Sequence, residues 1–180
     1  MNKSHNLQIR TSSIIVIMIS LISISPAVGQ YKVGVKAAFN YASFRGNPNL
    51  KAGYQFGVAG KKYLGDLGWF FQPEINYSLE GAENQRLEFI NVPLILGFDF
   101  SDNFNLHLGY QSGFLIGTRG NDSFDYKTYN PVINVGLEFY PFDKSVFGAR
   151  YDYGISDIDK SDFRAVTFNF EVYLIFWIKN

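Results

Sequence analysis

Alternation with a period of two runs through almost the whole chain after Gln30, and it constrains the fold more than any motif does. In "WFFQPEINYSLEG" (Trp69 to Gly81) one set is Trp69, Phe71, Pro73, Ile75, Tyr77 and Leu79, and the other is Phe70, Gln72, Glu74, Asn76, Ser78 and Glu80. Successive side chains of a strand point to opposite faces, so this pattern builds a sheet with one apolar and one polar side. In a soluble sheet the apolar side packs on a protein core. In a membrane barrel it meets lipid and the polar side lines the lumen. The stretch alone fits both.

Eight segments carry the pattern. The first sets Tyr31, Val33, Val35, Ala37, Phe39 and Tyr41 against Lys32, Gly34, Lys36, Ala38, Asn40 and Ala42. The second, Ala52 to Lys62, sets Tyr54, Phe56 and Val58 against Gly53, Gln55, Gly57, Ala59 and Lys61. The third is the stretch quoted above. In the fourth, "LEFINVPLILGFDF", the apolar set begins as Leu87 and Phe89 and continues as Ile90, Val92, Leu94, Leu96 and Phe98, a change of phase that predicts a bulge near Phe89 to Asn91. The remaining four place Asn105, His107, Gly109, Gln111 and Gly113, then Asn134, Gly136 and Glu138, then Gly148, Arg150, Asp152 and Gly154, then Thr167, Asn169, Glu171 and Tyr173 on the polar face. Pro73 in mid-strand removes a ladder hydrogen bond, and a closed barrel has no free edge to accommodate it, so a local bulge is expected there too.

The connections alternate in kind. "LGDLG" (Leu64 to Gly68), "SDNF" (Ser101 to Phe104) and "PFDKS" (Pro141 to Ser145) are short turns. "RGNPNLK" (Arg45 to Lys51), "GAENQR" (Gly81 to Arg86), "TRGNDSFDYKTY" (Thr118 to Tyr129) and "SDIDKSD" (Ser156 to Asp162) are longer and more charged. Short periplasmic turns and longer extracellular loops are the habit of outer-membrane barrels, and an even strand number puts both termini on the periplasmic side.

Ahead of the alternating region, Lys3 and Arg10 precede the apolar run Ile14 to Ile24, Pro26 breaks it, and Ala27 to Gly29 supplies small residues. Charged, apolar and small regions in that order predict a cleaved signal peptide over residues 1–29 and a mature barrel domain over 30–180. The apolar run is shorter than the roughly 20 residues a membrane helix needs, and no later segment reaches that length. Lys and Arg together number 16, as do Asp and Glu, so the balance gives no argument for nucleic acid. With no Cys in the chain, disulfides, thiolate metal sites and a Cys nucleophile are excluded.

Two arguments decide between lipid and core. A soluble eight-stranded barrel turns its large side chains inward around a ligand, whereas here the charged and Gly-rich face is the narrow one. An eight-stranded interior is only wide enough for side chains to fill, so Gly alternating with Lys, Glu and Arg suits the inside. Aromatic residues also gather at the two ends of the apolar face: Tyr31, Trp69 and Phe147 at one, Tyr41, Tyr54, Tyr77, Phe114 and Tyr153 at the other. Membrane interfaces collect such rings. The expected fold is therefore an all-β, eight-stranded antiparallel up-and-down transmembrane β-barrel.

The lumen-facing ionisable set is Lys32, Lys36, Lys61, Glu74, Glu80, Glu138, Arg150, Asp152 and Glu171. Charges inside a narrow barrel must be paired or hydrated, so Lys36 and Arg150 with Glu74, Glu138 and Glu171 are expected to form a structural, salt-bridged plug. An ion path is the functional alternative, disfavoured by the filled interior. His107 is predicted inward. A hydrolase would pair it with a Ser and an acid, but Ser112 falls on the opposite face, Ser78 is a remote candidate, and no motif surrounds them. A lone His argues against zinc. Asp122 and Asp125 in the third loop lack calcium-loop spacing, and nothing supports a nucleotide site. No catalytic, cofactor-binding or metal residue is assigned.

The phrases "GVKAAFNYASF", "YQFGVAG", "FFQPEINYSLEGA", "FINVPLILGF", "LGYQSGFLIG" and "FGARYDYGISDI" cover the mature chain in order. They resemble the small outer-membrane β-barrel proteins of Bacteroidota, the porin family or PorT-like barrels. The resemblance implies a bacterial outer-membrane location, contact with outer-membrane lipid and the barrel assembly machinery, and no established enzymatic activity; one branch is associated with protein secretion. The chain ends "EVYLIFWIKN", whereas members of that family end on an aromatic residue; Phe176 and Trp177 lie just before the end. The function expected is structural or interaction-based, through a protein partner at the loops. A lipid-modifying hydrolase using His107 and a narrow pore stand as alternatives.

Overall fold

A computed structural model describes residues 31–44, 47–82, 85–120, 127–156 and 167–179. The expected leader, residues 122 and 125 of the third loop and most of the fourth loop lie outside the described residues. The elements are β1 (Tyr31–Phe44), β2 (Asn47–Tyr63), β3 (Trp69–Ala82), β4 (Gln85–Ser101), β5 (Phe104–Gly120), β6 (Tyr129–Phe142), β7 (Ser145–Gly154) and β8 (Thr167–Lys179). Each pairs antiparallel with its neighbour in sequence, and β1 pairs with β8, closing an eight-stranded barrel. Closure leaves no sheet edge to be desolvated, which is why a barrel can cross a bilayer with strands. No helix among the described residues is long and apolar enough to cross a membrane.

The alternation maps onto inside and outside. In β6 and β7 exposed and buried residues alternate along most of each strand. The buried set includes Lys36, Glu74, Glu138, Arg150 and Glu171, whereas Val35, Phe56, Leu108, Val135 and Val172 are exposed. The outer face carries ring pairs at both ends. Trp69 with Phe98 (centroids 5.1 Å apart) and Phe104 with Phe139 (4.9 Å) mark the turn end, and Phe114 with Tyr129 (5.6 Å) and Tyr153 with Phe168 (5.4 Å) mark the loop end. Along β5, the run from Phe104 to Phe114 at ~3.3 Å per residue and a tilt of about 40° spans roughly 25 Å, the height of an outer-membrane apolar band.

Packing inside depends on close lateral fits. Gly57 lies beside Asn76, Gly97 beside Phe70 and Gly148 beside Tyr173, each pair in direct register on adjacent strands. A Cβ on any of these glycines would collide with the neighbour's side chain. Large lumen side chains thus lie flat over a glycine of the next strand, which lets a narrow barrel hold Phe, Tyr, Arg and Glu at once. An apolar cluster occupies the turn end of the lumen. Ala38, Ala59, Val146, Tyr173, Ile175 and Trp177 form it, with Tyr140 packed against them, and at the loop end Leu87 and Phe89 are buried.

Three expectations are corrected. Leu87 and Phe89 share the inward phase of Asn91 and Ile95, so β4 does not change phase. The irregularity instead falls where Glu88 pairs with Gly117 and Phe89 with Leu115, which places the extra residue, Ile116, on β5. The apolar pair turns into the lumen, so it reads as outward only if every apolar residue is assigned to lipid. Around Pro73 the β3–β4 register is the same from Pro73↔Leu94 to Asn76↔Asn91, without the expected bulge. The loss of the donor is absorbed as a gap in the ladder rather than an inserted residue. Finally, the first two loop-end connections are shorter than their polar sequences suggest: pairing runs to Phe44↔Asn47 and to Ala82↔Gln85. Backbone pairing satisfies the ladder's donors and acceptors whatever the side chains are, so it continues into these polar sequences.

Candidate functional site: the ion-paired lumen

Glu74, on β3, is the hub of the lumen. Its carboxylate accepts hydrogen bonds from Lys36 Nζ (3.0 Å), Arg150 Nη2 (2.8 Å) and Nη1 (3.2 Å), Gln72 Nε2 (2.9 Å) and Asn76 Nδ2 (3.0 Å). A carboxylate offers about four lone-pair sites, so Glu74 is saturated. Glu171 Oε1 accepts from Lys36 (2.8 Å) and lies 3.2 Å from Arg150 Nη1. Beneath both cations lies the Tyr173 ring, 4.2 Å from Lys36 Nζ and 5.0 Å from Arg150 Cζ. The four side chains Lys36, Glu74, Arg150 and Glu171 thus meet in one knot.

Glu138 belongs to a second knot. Its ion pair is with Lys61 (2.9 Å), a lumen residue outside the expected plug, rather than with Lys36 or Arg150. Asn105 Nδ2 (2.8 Å), Tyr173 Oη (2.9 Å) and Tyr140 Oη also donate to it, and Gln72 Nε2 (3.3 Å) joins it to the Glu74 hub. Lys61 in turn sits 3.8 Å from the Phe70 ring centroid and 5.7 Å from that of Trp177. Tyr140 was not anticipated, although it stands two residues after Glu138 and so shares its face. Charges balance in this joined network: three cations face three carboxylates, all fully buried. Removing charges from water costs several kcal/mol per ion, and full pairing with added donors is what offsets it.

His107 is buried and accepts from Arg150 Nε at 3.4 Å through Nε2, which leaves the ring proton on Nδ1. Ser78 bonds Asn40 and Glu80, and Ser112 meets Tyr129 on the outer surface. Among the described residues, neither of these serines has His107 as its partner. Outside the lumen, Arg119 pairs with Glu88 at 2.6 Å on the loop-end surface, with Arg119 exposed, an arrangement of small energetic weight.

Over residues 14–176 the sequence matches the outer membrane protein beta-barrel domain. The chain belongs to that family. Tyr31 and Lys179 lie at the end of the barrel that carries the short turns. Among solved structures it is similar to Ail, the attachment invasion locus protein of Yersinia pestis, with a TM-score of 0.52 and 14% identity over 84% of this chain and 100% of that one. It is likewise similar to Neisserial surface protein A, with a TM-score of 0.51 and 16% identity over 81% of this chain and 96% of that one. At such identities the likeness is of fold. No curated protein matches the sequence.

Proposed function

We propose that this outer-membrane barrel is a sealed, non-enzymatic scaffold whose work is done by what it presents at the membrane surfaces. The observation that carries the reading is the lumen itself. Ion pairs and their donors cross it in the middle, and an apolar cluster fills its turn end. An eight-stranded interior leaves no aqueous channel once so filled. The lumen charge network of Lys36, Glu74, Glu138, Arg150 and Glu171 is then structural. Residues 1–29 serve as the export leader, cleaved before the barrel domain of 30–180 is assembled by the barrel assembly machinery. The motifs shared with PorT-like barrels of Bacteroidota support membership in that branch of small barrels and a protein partner at the loops, in secretion; nucleic acid has no part in it.

Two measurements test this. A folded barrel in isolated outer membranes shifts its gel mobility only when boiled in SDS, and purified protein in a planar bilayer stays electrically silent. Discrete openings whose conductance changes in Lys36→Met or Arg150→Met would replace the scaffold with a narrow pore. A lipid product lost in His107→Ala would replace it with a hydrolase.

A further inference from the structure

On the outer wall, one cross-strand pair sets like charges side by side. Arg86 on β4 and Arg119 on β5 are direct partners in the ladder. Leu87 and Phe89 turn inward, so Arg86, Glu88 and Ile90 share the outer face. A Cβ on Gly117 would meet the Glu88 side chain, which puts Gly117, and with it Arg119, on that face too. Direct partners stand about 5 Å apart at their Cβ atoms, and like charges so placed are destabilising. On its other side Arg86 faces Gly81 of β3, which brings no counter-charge.

One carboxylate serves the two cations. Glu88 meets Arg119 through Nε at 2.6 Å and also accepts from the Tyr77 hydroxyl. Among the described residues no carboxylate pairs with Arg86. The Arg119 side chain stays 76% exposed, so its terminal nitrogens are open to another acceptor. Depth argues for what that acceptor is. Ile90 lies level with Tyr77 and Phe114, in the loop-end aromatic row. Glu88 stands two residues beyond, about 5 Å further along the barrel axis at ~3.3 Å per residue and a tilt of about 40°. The polar layer of a bilayer adds roughly 5–7 Å outside each face of its hydrocarbon core. The guanidinium that reaches back to Glu88 is therefore held in the headgroup layer.

We propose that Arg86 and Arg119 clamp one phosphate group of a lipid headgroup in the leaflet at the loop end. Two guanidiniums rooted side by side on neighbouring strands present forks of N–H donors, the geometry that matches phosphate oxygens. An anion between them turns the repulsion of the pair into attraction to a common partner. The occupant is a lipid because the pair stands at headgroup depth on the outer wall, the surface that the leaflet covers. Glu88 holds Arg119 at that depth, and the two arginines carry one positive charge more than Glu88 can answer.

The test uses the full-length protein refolded into mixed micelles of detergent and phosphatidylcholine doped with phosphatidic acid, with native mass spectrometry counting the lipids retained. One phosphatidic acid per barrel is expected, preferred over phosphatidylcholine by at least about tenfold. Arg86→Gln and Arg119→Gln are each expected to lower that preference by about tenfold. Lys144→Gln, which removes the same charge from an exposed residue at the turn end, is expected to leave it unchanged. Equal preference in the wild type and both arginine variants overturns the proposal. So does an equal loss in Lys144→Gln, which would make the attraction one of overall charge, and so does a wild type that binds inorganic phosphate but not phosphatidic acid. Should a Gln variant not fold, phosphatidic acid is expected to protect Arg86 and Arg119 of the wild type from phenylglyoxal; equal modification with and without it counts against the clamp.

Discussion

Arg150 on β7 grips Glu74 on β3 with both guanidinium nitrogens, at 2.8 and 3.2 Å, and these two strands stand opposite each other in the closed ring. Lys61 on β2 and Glu138 on β6 make a second tie between opposite strands. The barrel is thus braced across its bore as well as laced around its circumference.

Breaking the first brace is expected to be costly. Arg150→Met strands Glu74 and Glu171 with Lys36 as their one cation, and loss of one member of a buried pair costs about 3–5 kcal/mol. Urea unfolding in lipid vesicles, followed by the SDS-resistant gel form, reads the change. Arg150→Lys is also expected to destabilise, because an ammonium cannot reproduce the two-pronged grip. A Lys variant as stable as the wild type would show that the fork geometry is unimportant.

For the second brace, a double-mutant cycle on Lys61→Met and Glu138→Gln measures the coupling directly. Residues in one buried network couple by about 0.5–3 kcal/mol, so the double variant is expected to be markedly less destabilised than the two singles added together. Strict additivity would mean that the two residues act independently, with Tyr140 and Asn105 supplying what Glu138 needs.

Gly57 and Gly60 lie three residues apart on β2, on opposite faces of the strand, and are expected to behave differently. A Cβ at Gly57 would run into the Ile75 carbonyl and the Asn76 side chain, whereas at Gly60 it meets the Tyr31 hydroxyl at 2.9 Å, the mobile tip of a long side chain. Gly57→Ala is expected to cost about 1–3 kcal/mol or to prevent folding, and Gly60→Ala to be close to neutral. Folding yields into vesicles and urea midpoints compare the two.

The lipid-facing assignment predicts a dependence on depth. Val135, paired with Leu108 midway between the aromatic rows, is expected to lose about 2–4 kcal/mol as Val135→Arg, whereas Phe142→Arg at the turn end loses about 0–1 kcal/mol. Equal costs at the two positions would contradict a membrane band between the rows.

How far the sequence could be read depended on the kind of information required. Alternation is local, so strand number, faces and turns were legible from residues such as Lys36, Glu74 and Arg150 standing at even spacing among Val, Ala and Tyr. Partners across the bore are not local. Which cation meets Glu138 depends on the stagger accumulated from β2 to β6, and no single segment states it, so Lys61 was placed on the right face without its partner. Leu87 and Phe89 misled because apolar character has two uses in a barrel, facing lipid and packing inside the lumen, and periodicity alone does not separate them. The flat fit of Tyr173 over Gly148 needed the β7–β8 register. Tyr140 was within reach, since parity with Glu138 already pointed it inward.

The braces also bear on time. An open sheet or a partly zipped hairpin array never brings β3 opposite β7, so the Arg150–Glu74 tie forms only after β1 has met β8. Interactions made that late do little for the rate of assembly and act almost wholly on the rate of escape. Their energy therefore sets the lifetime of the inserted protein, so that the barrel is held in its membrane by the slowness of its opening.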